Sequence, residues 1–112
     1  MTNERYLLDF ATKHPVEEIK RTLENLKDLR ILVIGDTILD YYWFGTIVGK
    51  TTKDPIISTD HKYNEIYPGG SLAVANHIAN YANNVDIVTL LGDVLRNEDV
   101  IRGLMNEKIK LT

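Results

Sequence analysis

The fold class of this chain is decided by the stretch from Arg30 to Gly45, which reads RILVIGDTILDYYWFG. It opens with Ile31 to Ile34, an unbroken apolar run that is mostly β-branched. A short apolar run closed by glycine and aspartate predicts a strand buried on both faces, as in a parallel α/β sheet. Such sheets bind their ligands at the carboxyl ends of the strands. The residues after Ile34 are therefore the first place to look for a functional site.

The rest of the chain alternates between helical and strand patterns. Helices are predicted over 4–12, 15–28 and 71–82 and from Asn97 or Asp99 onward, and further strands over 85–91 and 108–111. This alternation predicts right-handed crossovers and a parallel sheet with helices on its faces. The sheet has few strands, so we expect this chain to be the first part of a larger α/β fold.

The segment between the first strand and the helix at 71–82 has a weaker pattern. Residues 55–59 and 64–67 are strand candidates with mixed polarity, and Pro55 suits the start or the edge of a strand. We interpret this segment as a small, partly exposed sheet that projects from the main one.

Composition excludes several functional classes. The chain has 112 residues, 44% of them hydrophobic, which suits one small domain with a real core. A net charge of -3 argues against a nucleic-acid or anionic-membrane surface. The absence of cysteine excludes disulfides and thiolate metal sites, and no apolar stretch approaches the roughly 20 residues that span a bilayer. We therefore expect a soluble, cytoplasmic protein without nucleic-acid or membrane partners.

Two short motifs are candidates for ligand binding. Asp36 and Asp40 follow the first strand, and an ionised carboxylate offers two oxygens to sugar hydroxyls. The alternative is that Asp36 caps a turn and Asp40 begins the next element. Gly69 and Gly70 precede a helix, where backbone without Cβ atoms lets a ligand approach. Taken alone, the Pro-Gly-Gly sequence is more often only a turn.

The remaining candidates are less specific. His14, His61 and His77 are scattered without the spacing of metal ligands, so no metal site is predicted. The aromatic residues 41–44 could stack against a sugar ring or pack the base of the small sheet, and packing is slightly favoured.

The order of these features is more specific than any one of them. The segments ILVIGDTILDYYWFG and YPGGSLAVANHIA, with the small sheet between them, resemble the ribokinase-like (PfkB) carbohydrate kinases. Within that family they look most like the heptose kinase domain of the bifunctional heptose-phosphate kinase/adenylyltransferases. The resemblance covers about residues 30–112. It implies an N-terminal helical extension over 1–28 and the first part of a ribokinase-like domain over 29–112.

The resemblance also implies roles for particular residues. The projecting sheet, about residues 46–67, would be a lid over the sugar and a homodimer surface. The residues matching Asp40, Gly69 and Gly70 contact the sugar in that family, and Asp36 matches its heptose-kinase pattern. The family usually has an asparagine where this chain has Ala73. Asn76, one turn further along the helix, is a candidate to replace it.

The family's nucleotide site and its Gly-x-Gly-Asp motif, which carries the catalytic base, have no counterpart in these 112 residues. ATP and Mg²⁺ are therefore implied for the complete protein, and no catalytic residue is assigned in this chain. The resemblance predicts the sugar-binding and lid portion of a kinase that acts on a sugar or sugar phosphate. The alternative is a non-catalytic sugar-binding or dimerisation module derived from the same fold.

Overall fold

The computed structural model of the chain describes residues 3–92 and 97–112. Its helices and strands follow one another in the order α1 (Asn3–Lys13), α2 (Val16–Asn25) with a 3₁₀ turn (Leu26–Asp28), β1 (Arg30–Ile34), β2 (Thr37–Lys50), β3 (Ile57–Gly69), α3 (Gly70–Ile78), β4 (Asn84–Val88), α4 (Glu98–Leu104) and β5 (Ile109–Leu111). The predicted alternation is confirmed. In the helices and the main sheet only the ends of the elements differ, with α3 and β4 ending earlier than the sequence pattern indicated. The aspartate at position 93, shortly after the strand predicted at 85–91, lies outside the described residues.

The main sheet is parallel, as predicted. Its strand order is β1-β4-β5, and Ile31 pairs with Val85 while Ile34 pairs with Val88. β5 continues the sheet on the other side of β4, where Val85 pairs with Ile109. The chain is therefore a mixed α/β protein with a parallel sheet. The finer expectation of a ribokinase-like sandwich stays a prediction.

The core lies between this sheet and the helices α3 and α4. The helix predicted at 71–82 has an alanine-rich face with three- and four-residue spacing, and that face is buried. Small side chains on that face let the helix backbone approach the sheet closely. The buried apolar residues are Leu72, Ala75, Ala79, Ala82, Val85, Ile87, Ile101 and Ile109.

The prediction that the first strand is buried on both faces is wrong for this chain. β1 alternates between half-buried and exposed positions, and the side chains of Leu32 and Ile34 are 57% and 73% exposed. Ile31 and Val33 pack against the core cluster, whereas Leu32 and Ile34 point to the opposite face of the sheet. An apolar run predicts burial on both faces, but in the described part of the chain helices cover only one.

The projecting sheet differs from its predicted form. It is a single antiparallel pair of two long strands, β2 and β3. β3 includes residues 57–59 of the first strand candidate and all of the candidate at 64–67. β2 begins at Thr37, so Asp40 and the aromatic residues lie within the hairpin rather than ahead of it. Register shifts after Phe44 and Ile47 mark two bulges. The cross-strand partners explain the continuity, because pairing supplies what weak local patterning lacks.

The two N-terminal helices form where they were predicted. Every residue of α1 and α2 is exposed, and the rings of Phe10 and His14 lie 4.7 Å apart where the two helices meet. Among the described residues, no helix has the length and hydropathy needed to cross a membrane.

Candidate functional site

The hairpin, β1 and α3 meet at a hydrogen-bonded junction built around Ser71. The backbone N–H of Ser71 donates to the carbonyl oxygen of Asp36 at 2.9 Å, and its hydroxyl donates to the carbonyl oxygen of Gly35 at 2.9 Å. The hydroxyls of Ser71 and Thr37 lie 3.3 Å apart. Ser71 is 8% exposed, so these bonds satisfy a polar group that would otherwise be costly to bury. The junction fixes where the hairpin leaves the sheet.

The end of β4 is tied to the same junction. The backbone N–H of Thr37 donates to the hydroxyl of Thr89 at 2.9 Å, and that of Gly35 donates to the carbonyl oxygen of Val88 at 3.1 Å. Sequence reasoning missed the positioning residues Ser71, Thr37 and Thr89. The sequence did contain a signal for them, because each is a serine or threonine at a structural boundary. Thr37 directly follows Gly-Asp, Ser71 directly follows Gly-Gly, and Thr89 stands at the end of an apolar strand. The site therefore stands at the carboxyl edge of the parallel sheet.

The carboxylate of Asp40 lies directly against the backbone of Gly69. A methyl group at Gly69 would come within 2.7 Å of Oδ2 of Asp40 and 3.2 Å of Cβ of Ile38. Because real Cβ atoms do not come that close to other atoms, the position of this carboxylate depends on glycine there. The structure thus brings together Asp40 and Gly69, which lie 29 positions apart by their numbers in the sequence.

Gly70 serves a different purpose. Its φ of +57° lies in the left-handed region, which side chains other than glycine enter at a cost of about 1–2 kcal/mol. A Cβ atom there would also clash with the carbonyl oxygen of Asp36, the atom that accepts the hydrogen bond from Ser71. Gly70 therefore allows the first turn of α3 to pack against the Gly35-Asp36 turn. Asp36 belongs to the junction through its backbone, and its side chain is exposed.

Asn76 is not brought into this group. Its amide nitrogen donates to the carbonyl oxygen of Leu104 at 2.9 Å, and its amide oxygen accepts from the backbone N–H of Asn106 at 2.9 Å. These bonds connect α3 to the turn between α4 and β5, far along the helix from Gly70. The candidate replacement for the family asparagine at Ala73 is thus engaged in joining two elements of the core.

The aromatic residues at 41–44 divide between the two faces of the hairpin. Tyr42 and Phe44 share the face of Asp40, where they meet Tyr67 and Tyr63 across the strands at ring distances of 5.4 Å and 4.7 Å. Tyr41 and Trp43 lie on the opposite face, because side chains alternate along a strand. The cross-strand pairs support the interpretation that these rings pack the hairpin. Stacking of the half-exposed rings against a sugar stays a prediction.

One titratable group near Asp40 has a shifted pKa. The hydroxyl of Tyr67 donates to the carboxylate of Glu65, and that hydrogen bond, together with the negative charge of Glu65, raises the pKa of the Tyr67 phenol above its ordinary value of 10.0. The single O–H of this phenol is therefore directed at Glu65. The face of Asp40 thus carries two carboxylate acceptors, and Tyr67 holds one of them in place.

An exposed carboxylate seated on glycine backbone, beside aromatic rings at the carboxyl edge of a parallel α/β sheet, suits a small polyhydroxylated ligand. Its acceptors match hydroxyl donors, and its rings offer apolar surface. These features define the class as an α/β protein with a candidate ligand site at the base of a projecting hairpin.

Comparison with known proteins agrees with this class. The chain is 32% identical over 75 residues to Bifunctional protein HldE of Aliivibrio salmonicida, 35% identical over 75 residues to that of Shewanella denitrificans, and 32% identical over 79 residues to that of Coxiella burnetii. These alignments cover 67–70% of this chain and 16% of each relative. No protein-family model matches the chain.

The relatives are bifunctional heptose kinase/adenylyltransferases, so the resemblance seen in the sequence is confirmed. This chain is similar to a heptose kinase-like segment of those proteins. Because it spans about one sixth of their length, 16%, the similarity concerns that segment alone.

Proposed function

We propose that this chain is the sugar-binding and lid portion of an ATP-dependent carbohydrate kinase. The complete protein would transfer the γ-phosphoryl group of ATP to a hydroxyl of a sugar or sugar phosphate, and the similarity to HldE favours a heptose phosphate. The observation that carries the proposal is the Asp40 carboxylate seated against Gly69 at the base of the hairpin. A cytoplasmic location goes with the proposal, because ATP is supplied there.

Each site residue has a role in this proposal. Asp40 accepts hydrogen bonds from two sugar hydroxyls, and Gly69 leaves room for that carboxylate and for the ligand. Gly70 holds the start of α3 against the turn that carries Asp36, whose exposed side chain provides a second carboxylate. Asn76 keeps a structural role, because its amide is already paired with Leu104 and Asn106.

The site built by the described residues does not fit ATP, and those residues include no group of three or more His, Cys, Asp or Glu side chains that could hold the accompanying Mg²⁺ ion. Phosphoryl transfer depends on groups that position phosphates and neutralise their charge. The charged side chains around the described site are Asp36, Asp40 and Glu65, which repel phosphate oxygens. The ATP and Mg²⁺ of the complete protein would therefore be held by residues outside this set, and the 112-residue chain should release no ADP from ATP in a coupled assay with sugars and heptose phosphates.

A second candidate is a non-catalytic module that binds sugar or joins two copies of the chain. The observation that favours it is the exposed apolar surface of the hairpin, where Ile47 and Ile57 are 68% and 55% exposed. Large exposed apolar groups of this kind are typical of surfaces that bind a partner. In either case we propose that the hairpin forms the interface of a homodimer.

The proposal is tested by replacing Asp40 with asparagine in the 112-residue chain. Binding of an unphosphorylated heptose and of a heptose phosphate is followed by NMR titration. Asp40→Asn removes the charge from hydrogen bonds worth about 1.5–3 kcal/mol each, so affinity should fall at least about tenfold.

Asp60→Asn is the matched control, because Asp60 is an exposed aspartate of the same hairpin that pairs with Lys62 at 2.5 Å beyond the bulge at Phe44. The affinity of the Asp60→Asn variant for heptose and for heptose phosphate should equal that of the unmodified chain. Equal affinities for both variants, in chains whose circular dichroism is unchanged, would contradict the role of Asp40.

A further inference from the structure

The face of the hairpin that carries Asp40 continues toward the tip as a strip of three further polar or aromatic side chains. Tyr67 is the cross-strand partner of Asp40, and Glu65 is the cross-strand partner of Tyr42. Side chains that pair across an antiparallel ladder lie on the same face, with Cβ atoms about 4.5–5.5 Å apart. Asp40, Tyr42, Glu65 and Tyr67 therefore form one continuous surface, which we call the Asp40 strip.

The side chains of this strip hold one another in place. The rings of Tyr42 and Tyr67 meet edge to face at an interplanar angle of 88°, and the hydroxyl of Tyr67 donates to Glu65. The two rings are nevertheless 53% and 48% exposed. A surface that is both ordered and open binds a ligand at little cost in side-chain entropy.

The charge of the strip selects among parts of a ligand. Between Ile38 and Phe44 and their partners on β3, the charged side chains of this face are Asp40 and Glu65, and both are acidic. Two carboxylates attract hydroxyl donors and repel the oxygens of a phosphate. Lys62, the next cation along β3, pairs with Asp60 beyond the bulge.

We propose that the Asp40 strip binds the uncharged, polyhydroxylated part of the substrate, with the phosphate of a sugar phosphate held away from it. The inference rests on the proposed function and extends the Asp40 site by three residues. Sugar hydroxyls donate to Glu65 as they do to Asp40, and the C–H groups of the sugar pack on the rings of Tyr42 and Tyr67. These three residues then determine which sugar binds.

The test uses the 112-residue chain and two matched variants. Tyr67→Phe removes the hydroxyl that holds the Glu65 carboxylate in place on the strip. Tyr41→Phe removes a hydroxyl from the opposite face of the same hairpin, where Tyr41 is 50% exposed. Both variants keep an aromatic ring and therefore keep the packing of the hairpin. Affinity for heptose and for heptose phosphate should fall about threefold to tenfold in Tyr67→Phe and stay unchanged in Tyr41→Phe.

Glu65→Gln separates the two parts of the ligand. If hydroxyls contact Glu65, loss of its charge weakens heptose and heptose phosphate by the same factor. If the phosphate lies on the strip, removing a negative charge strengthens heptose phosphate relative to heptose, and that result would overturn the inference. Nuclear Overhauser contacts from sugar protons should reach the rings of Tyr42 and Tyr67. Contacts to Tyr41 in their place would also overturn it.

The outcomes distinguish this inference from the proposed function. When Asp40→Asn weakens binding but Tyr67→Phe and Glu65→Gln do not, the sugar site stands and the strip is only a packing surface. When the unmodified chain binds neither heptose nor heptose phosphate, the proposed function fails and the inference fails with it.

Discussion

The sheet with its two packed helices and the long hairpin are stabilised in different ways. Every buried apolar residue of the core lies in the segment from Leu72 to Ile109. The hairpin has 14 residues in β2 and 13 in β3, and most of them are exposed. An isolated two-stranded sheet is marginally stable in water. The core is therefore stabilised by apolar burial. The hairpin is stabilised by the backbone hydrogen bonds between its strands, by its aromatic pairs and by its junction with α3.

This difference explains where the candidate site lies. Gly69 occupies the first paired position of the hairpin, opposite Ile38, and Asp40 lies two positions further along β2, where the packed core ends and the open surface begins. A carboxylate held at that boundary is positioned by the core and still accessible to a ligand. Each of the following experiments changes one side of the comparison and leaves the other intact.

The largest effect is expected in the core. Leu72 is fully buried at 0% exposure, and Leu72→Ala should lower the free energy of unfolding by about 2–5 kcal/mol, through lost burial and the cavity left behind. Val74→Ala, on the same helix at 51% exposure, should change it by less than about 0.5 kcal/mol. Urea denaturation followed by circular dichroism measures both. Similar losses for the two variants would mean that α3 does not dock as described.

The next effect concerns the exposed apolar side chains of the hairpin, which a second copy of the chain would bury. If the hairpin forms a dimer, Ile57→Lys places a charge in that interface, and the chain should elute as a monomer at micromolar concentration with unchanged circular dichroism. Leu8→Lys is the control, since Leu8 is 71% exposed on α1. A monomer from Leu8→Lys together with a dimer from Ile57→Lys would assign the interface to the N-terminal helices.

A smaller effect tests the role of Asn76. Asn76→Ala leaves the carbonyl oxygen of Leu104 and the N–H of Asn106 without their side-chain partner, which should cost about 1–3 kcal/mol of unfolding free energy. Sugar affinity should not change. Asn80→Ala, one turn later and exposed, should cost little. Loss of sugar affinity at unchanged stability would restore Asn76 to the binding site.

The smallest effect is a titration on the hairpin face. Because Glu65 raises the pKa of the Tyr67 phenol above 10.0, Glu65→Gln should move that pKa back toward its ordinary value. A raised pKa in the folded chain means that the interaction stabilises the hairpin below pH 10 and is lost as pH rises through the shifted value. Carbon-13 NMR of labelled tyrosine follows Tyr67 directly. An unchanged pKa in the variant would show that the two side chains are not paired.

Much of this architecture could be predicted from the sequence because its signals are local. The run from Ile31 to Ile34 encodes a strand, and the spacing of Leu72, Ala75, Ala79 and Ala82 encodes the buried face of α3 and of the turn that follows it. The Gly-Gly pair marks the start of that helix. Segment order then implies a parallel sheet, and all of these features appear in the structure.

What the sequence could not determine depends on pairs of residues that are distant along the chain. Pairing and packing decide three such features. They bury β1 on one face, join weak strand candidates into β3, and divide the aromatic residues between two faces. Two further features also depend on residues distant along the chain. They are the contact of Asp40 with Gly69 and the hydrogen bonds of Asn76 with Leu104 and Asn106. Local spacing encodes which element forms, because each residue's neighbours in sequence set that preference. Only the tertiary structure decides which side chains meet, because that depends on where separate elements dock.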